Sequence, residues 1–212
     1  TYYSDLRAKY GHKEPYNIKI WDLGNEVDGE PWELGYKNAD DYVKIAREAA
    51  KAMKAVDNSI ELVVSGSSYY EESGIWFDWN RTIINELRDI ADYVSIHRYW
   101  ERSDDYYEYV GTGALDIEEK INALRAQITL TKTRYPDSKP MHLSIDEYAA
   151  FGQTMMSTLA ATMYLNSFIR HADIVKMANY TLATSLVGSD PEKGVFKTPL
   201  FHAFKLFSNN CH

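Results

Sequence analysis

Cysteine is nearly missing from this chain of 212 residues: Cys211 is the only one, so no internal disulfide can form and no thiolate metal site can be built. Basic charge is in the minority, with 23 Lys and Arg against 31 Asp and Glu, a net charge of -8, and no Lys/Arg-rich run. Neither nucleic acid nor a membrane surface is therefore an expected partner. Long apolar runs are lacking as well. None approaches the ~20 residues of a membrane span, and the opening TYYSDLRAKYGHKEP has no apolar signal-peptide core. A glycine-rich phosphate turn is also absent, because GNEVDGEPW after the first apolar run does not match GxGxxG. What is present is the make-up of a globular domain, 45% hydrophobic and 25% charged, enough for a sizeable core and for one or at most two domains. Aromatics reach 14%, with 17 Tyr and 5 Trp, which suits carbohydrate stacking and an ordinary core alike.

Five short apolar runs recur: IKIWDLGNE (18 to 26), IELVVSGSS (60 to 68), DYVSIHRY (92 to 99), MHLSIDEY (141 to 148) and DIVKMANY (173 to 180). Each is apolar on both faces instead of alternating, the pattern of a buried parallel strand. Amphipathic helices are expected between them. Residues 38 to 57 open with Asn38 as N-cap and carry Tyr42, Ala46, Ala49, Met53 and Val56 at helical steps; residues 116 to 134 repeat the plan with Ile117, Ile121, Leu124 and Ile128. Further helices are expected over 154 to 171 and from Thr198, where Pro199 takes the first helical position. Strand and helix alternate, so the fold class is α/β with a parallel sheet. Without a nucleotide-binding turn, a (β/α)8 barrel is favoured over a doubly wound sheet. The polar residues also cluster where each strand ends: Asn25 and Glu26, Ser65 and Ser67, His97 and Tyr99, Asp146 and Glu147, Asn179 and Tyr180. A full barrel needs eight units, and five strands are visible. The expectation for residues 1 to 212 is thus a partial barrel, strands four to eight, with open edges.

Glycoside hydrolysis requires two carboxyl groups, one to protonate the leaving oxygen and one to attack the anomeric carbon or activate water. Glu26 and Glu147, each closing an apolar strand, meet that requirement, although a strand-end Glu taken alone is as often an ordinary ion-pair member. Asp146, next to Glu147, is expected by strand alternation to point away from the pocket. The segments 68 to 80 and 99 to 111 are aromatic and acidic; they fit sugar-stacking loops or loops packed down by their own rings. Asn80-Arg-Thr82 fits a glycosylation sequon. No His-x-His strand is present, so no metal and no cofactor is expected.

WDLGNE (21 to 26) with VDGEPWELGYKNADDY (27 to 42), VSIHRY (94 to 99), LSIDEY (143 to 148) and LNSFIRHADIVKMANY (165 to 180) together resemble, in order, the α-L-arabinofuranosidases of glycoside hydrolase family 51. The resemblance implies a retaining double displacement in a (β/α)8 barrel, with Glu26 as general acid/base and Glu147 as nucleophile. It also implies sugar contacts from Asn25, His97, Tyr99 and Tyr148, with Tyr99 hydrogen-bonded to the nucleophile. The implied partner is an arabinose-containing polysaccharide or oligosaccharide, and relatives are often homo-oligomeric and intracellular. Tyr148 stands where the family commonly has Trp, and Leu182 where a glutamine reaches the sugar. The first three strands and the family's usual C-terminal β-sandwich are not seen. Two alternatives stand beside this reading: an endo-acting xylanase or glucanase of the same clan, and a catalytically incomplete fragment that needs a partner chain.

Overall fold

A computed structural model describes the chain except residues 30–34, 69–74, 101–102, 153, 193 and 212. Much of the aromatic segment 68 to 80, and the first residues after Trp100, lie outside the described residues. In chain order the elements are α1 (Tyr2–Lys9), β1 (Ile20–Asp22), α2 (Ala39–Val56), β2 (Glu61–Ser65), α3 (Ile75–Glu86), β3 (Tyr93–Trp100), α4 (Tyr106–Arg134), β4 (His142–Ala150), α5 (Met155–Arg170), β5 (Val175–Tyr180), the hairpin β6 (Val187–Asp190) and β7 (Gly194–Lys197), and α6 (Pro199–Asn210). Strands β1 to β5 form one sheet in sequence order, every pair parallel. With a helix after each strand, this is five units of a (β/α)8 barrel, curled into a half-barrel.

The helices start where local chemistry satisfies their orphan N–H groups. Asn38, Asp105, Thr154 and Thr198 each accept a hydrogen bond from the backbone N–H three residues on, and Pro199 follows Thr198 as expected. The face that α2 buries is Tyr42, Val43, Ala46 and Ala50, rotated from the expected stripe, and Val56 is fully open to solvent. Helix α4 begins ten residues before the expected Asp116. Its first turns hold Gly111 and Gly113, poor helix formers, but Trp100 lies against Gly113 and donates its indole N–H to the Tyr109 carbonyl at 2.9 Å. Tertiary packing outweighs propensity there. Helix α3 is an unexpected element: Trp76, Trp79, Ile83 and Ile84 are buried, and the Trp79 indole donates to the Ser65 carbonyl at 3.0 Å. Asn80 is wholly buried in the same helix and accepts the Ser67 N–H at 3.0 Å, so this sequon cannot present a glycan in the folded chain.

The main core lies between sheet and helices, where Val64, Val94, Ile96, Leu143 and Ile145 meet Ile83, Leu87, Ile117, Ile121 and Leu124. Burying each such side chain contributes roughly 1.5–3 kcal/mol. Strand β1 departs from the buried pattern: it runs only from Ile20 to Asp22, and all three residues are exposed at the sheet edge. Gly24 at φ 136° then swings the chain away, so Asn25 and Glu26 lie in a bend beyond the strand.

Candidate active site

Strand β4 carries the feature that organises the site. Ser144 pairs with Ser95, but Glu147 pairs with His97, so three steps on β4 match two on β3. This is a β-bulge, and its extra residue breaks the in-out alternation. Asp146 and Glu147 both line the inner hollow as a result, while Tyr148 points to the helices. Two expectations are corrected here. Asp146 does not turn away: it accepts the Ser95 hydroxyl at 2.6 Å and lies 3.3 Å from His97 Nε2. Tyr148 does not face a sugar: it is fully buried among Tyr164, Phe168 and Tyr180, and burial raises the pKa of its hydroxyl.

The bend after β1 brings Glu26 to the same place. Its backbone is left-handed, φ 47°, an uncommon conformation for a residue with a side chain. Its Oε1 lies 2.7 Å from His97 Nδ1, and Glu147 Oε2 lies 3.7 Å from the same nitrogen. The side-chain oxygens and the ring nitrogen of Glu26, His97 and Glu147 all fall within 4.8 Å of one another. The Tyr99 hydroxyl donates to Glu147 Oε2 at 2.5 Å and is 3.1 Å from Thr181 Oγ1. Phe151, just past β4, stacks on Tyr99 with ring centres 5.6 Å apart. Asn25, His97, Asp146, Glu147 and Asn179 line a hollow of about 280 Å³ that continues inward to Asp22 and Ser144. A larger hollow of about 580 Å³ sits at the opposite, N-terminal end of β4, lined by Ile84, Ile128, Lys132 and Met141; no pair of carboxylates faces it.

His97 is held by opposing effects. Burial favours its neutral ring, but hydrogen bonds to Asp146 and Glu26 and the charges of Asp146 and Glu147 outweigh that and push its pKa up to about 10. Tyr99 is pushed up to about 12, by burial and then by its bond to Glu147. Asp22 rises to about 8 through the protein packed around it and then through the Asp146 carboxylate; its side chain is open at the sheet edge, and solvent there moderates the rise. Of the residues singled out in the sequence, Glu26, Asn25, His97, Tyr99 and Glu147 are brought together and Tyr148 is not. Asp22, Ser95 and Thr181 join them unforeseen. Asp22 had a signal, a carboxylate inside an apolar strand.

Two carboxyl groups at the C-terminal mouths of parallel strands, within reach of one sugar carbon, are the arrangement on which (β/α)8 glycoside hydrolases are built. Residues 1–112 match the family model described as "Alpha-L-arabinofuranosidase 1 domain", and residues 138–212 match "Alpha-L-arabinofuranosidase C-terminal domain". The chain belongs to the α-L-arabinofuranosidase family. The intracellular exo-alpha-(1->5)-L-arabinofuranosidase of Halalkalibacterium halodurans is 43% identical over 149 residues, covering 70% of this chain and 29% of that protein. α-L-Arabinofuranosidase C of Emericella nidulans is 28% identical over 233 residues, covering 99% of this chain and 46% of that protein. Among solved structures, the arabinose complex of the Thermotoga maritima α-L-arabinofuranosidase superposes with a TM-score of 0.81 at 31% identity, covering 99% of this chain and 43% of that one. A family 51 enzyme of Bifidobacterium longum shares the fold, with a TM-score of 0.85 at 21% identity over 99% of this chain and 47% of that one. The chain thus spans less than half the length of each of these proteins.

Proposed function

We propose that the polypeptide carrying this chain is a retaining, exo-acting α-L-arabinofuranosidase that releases L-arabinose from arabinoxylan or arabinan, with Glu147 as nucleophile and Glu26 as general acid/base. The observation that carries the reading is the convergence of Glu26 and Glu147 on His97 Nδ1, with one oxygen of each carboxyl group within 4.8 Å of the other, a proximity in keeping with a retaining pair. Retaining enzymes need about 5–5.5 Å between these groups, whereas inverting enzymes need about 6.5–9.5 Å to admit a water. Tyr99, donating to Glu147 Oε2, orients the nucleophile. Glu147 attacks the anomeric carbon while Glu26 gives a proton to the leaving oxygen; Glu26 then takes a proton from the water that releases the sugar. Asn25, beside Glu26 and lining the hollow, is placed to meet the hydroxyl next to the reacting carbon. The relatives named as exo-acting arabinofuranosidases support this reading over an endo-acting one.

The test uses the complete polypeptide that carries these residues, as parent and as Glu26→Ala and Glu147→Ala, on an aryl α-L-arabinofuranoside with added azide. Azide is expected to rescue both variants, giving an inverted arabinosyl azide from Glu147→Ala and a retained one from Glu26→Ala. Parent-level turnover by both variants without azide would overturn the assignment.

A further inference from the structure

The proposed roles of Glu26 and Glu147 leave one group unexplained. His97 is 5% exposed, lies at hydrogen-bond distance from Glu26 through Nδ1, and approaches a third carboxylate, Asp146, through Nε2. Asp146 is itself fixed from behind by the Ser95 hydroxyl. The bulge that turns Asp146 inward therefore creates an unbroken line from Ser95 through Asp146 and His97 to Glu26. The backbone N–H of His97 also donates to Ser68 Oγ at 2.9 Å, which anchors the ring's strand against the loop after β2.

Resting on the reading of Glu26 as acid/base, we propose that Asp146 is a positioning residue that acts through His97, keeping one proton shared between His97 Nδ1 and the Glu26 carboxyl group. In the empty site that proton sits on Nδ1, with Nε2–H donating to Asp146 and Glu26 charged. When a glycoside binds, the leaving oxygen takes the proton from Glu26, and a neutral His97 beside a Glu26 carboxylate is left. The water consumed in the second step delivers its hydroxyl to the sugar and its proton to the same pair, so the count closes over one turnover. The titratable groups around the ring are Asp22 from β1, Glu26 from the bend that follows, Tyr99 from β3, and Asp146 and Glu147 from β4. The carboxylates favour the positive ring, and burial opposes it. Asp22 hydrogen-bonds Asp146, whose charge and hydrogen bond raise the Asp22 pKa.

The experiment compares the parent with Asp146→Asn, which keeps the shape and an acceptor for Nε2–H but removes the charge. The alkaline limb of kcat/KM, which reports loss of the shared proton, is expected to move down by one pH unit or more. The tenfold or greater loss above that limb should be larger for phenyl arabinofuranoside than for the 2,4-dinitrophenyl compound, whose leaving group needs no proton. A structural role would lower both substrates equally at every pH and leave the limb in place; that result overturns the proposal. A nitrogen-15 titration of His97 in the parent needs no variant and no turnover, so it stands even if Asp146→Asn does not fold. A ring carrying protons on both nitrogens at pH 7.5 is expected, and a neutral ring refutes the idea. If the parent releases no arabinose while the ring is doubly protonated, the functional reading fails and the proton-holding arrangement survives.

Discussion

Gly66, one residue past β2, tests whether the spacing of β2 and β3 governs both stability and the site. A Cβ built there would lie 2.0 Å from the Ser95 carbonyl oxygen, 3.0 Å from Asn80 Oδ1 and 3.1 Å from Val94 Cγ2. The first contact is with backbone in a buried strand, so no side-chain rotation relieves it, and β3 must retreat by about 1.4 Å to reach an ordinary contact. Overpacking of this kind costs about 1–3 kcal/mol, and a backbone clash belongs at the upper end. At about 2–4 °C per kcal/mol for a unit of this size, Gly66→Ala should lower Tm by roughly 6–12 °C. Ser95 holds Asp146 and precedes His97 by two residues, so the same retreat displaces both from Glu26. A misplacement of about 1 Å costs on the order of 100-fold in rate. Calorimetry and turnover of an aryl arabinofuranoside, measured on the same preparation, check the two halves. A fall in Tm under about 2 °C with parent-level turnover would refute the reasoning.

Two further outcomes follow from the buried polar groups. The Tyr148 hydroxyl is buried without a hydrogen-bond partner among the described residues, so Tyr148→Phe should be neutral or stabilise the fold by up to about 1 kcal/mol in urea unfolding, and a clear loss would point to a partner at that oxygen. Stability should also fall as pH rises. His97 titrates near 10 folded against 6.5 unfolded, and the solvent-moderated rise of Asp22 above 3.8 acts in the same direction, so the folded chain binds more protons across both windows. The contribution of each is full below its unfolded value and is lost as pH climbs through its folded one. Asp57 and Asp173, held near 2, titrate outside this range. Urea midpoints that stay level or rise between pH 6 and pH 10 would contradict the assignment.

Much of this was legible in the sequence, for identifiable reasons. The runs ending at Tyr99 and Tyr148 are apolar on both faces because they lie inside the sheet, and the structure keeps them as β3 and β4, while the run ending at Tyr180 becomes β5 at the sheet's edge. Glu26, His97 and Glu147 stood out as polar groups closing such runs. Asp146 was assigned to the wrong face because alternation was carried straight through β4; the bulge is a property of its pairing with β3, which no single strand encodes, and Tyr148 was misplaced because the family resemblance gave it a sugar contact. Helix α3 was hidden among aromatics that read as loop, and the start of α4 behind two glycines, since in each case burial against the sheet supplies what local propensity lacks. The first strand was overestimated because Gly24 and the left-handed Glu26 end it early.

That left-handed residue sets stability against chemistry. Holding a side chain at φ 47° costs on the order of 1–2 kcal/mol relative to glycine, a cost offset only by what the carboxylate does at the site, where it lies 2.7 Å from the His97 ring. A Glu26→Gly chain would shed that backbone strain but leave the buried His97 ring without its 2.7 Å partner, so the two effects on stability oppose each other. Any search for hardier variants that relaxes this bend therefore has to score turnover alongside melting.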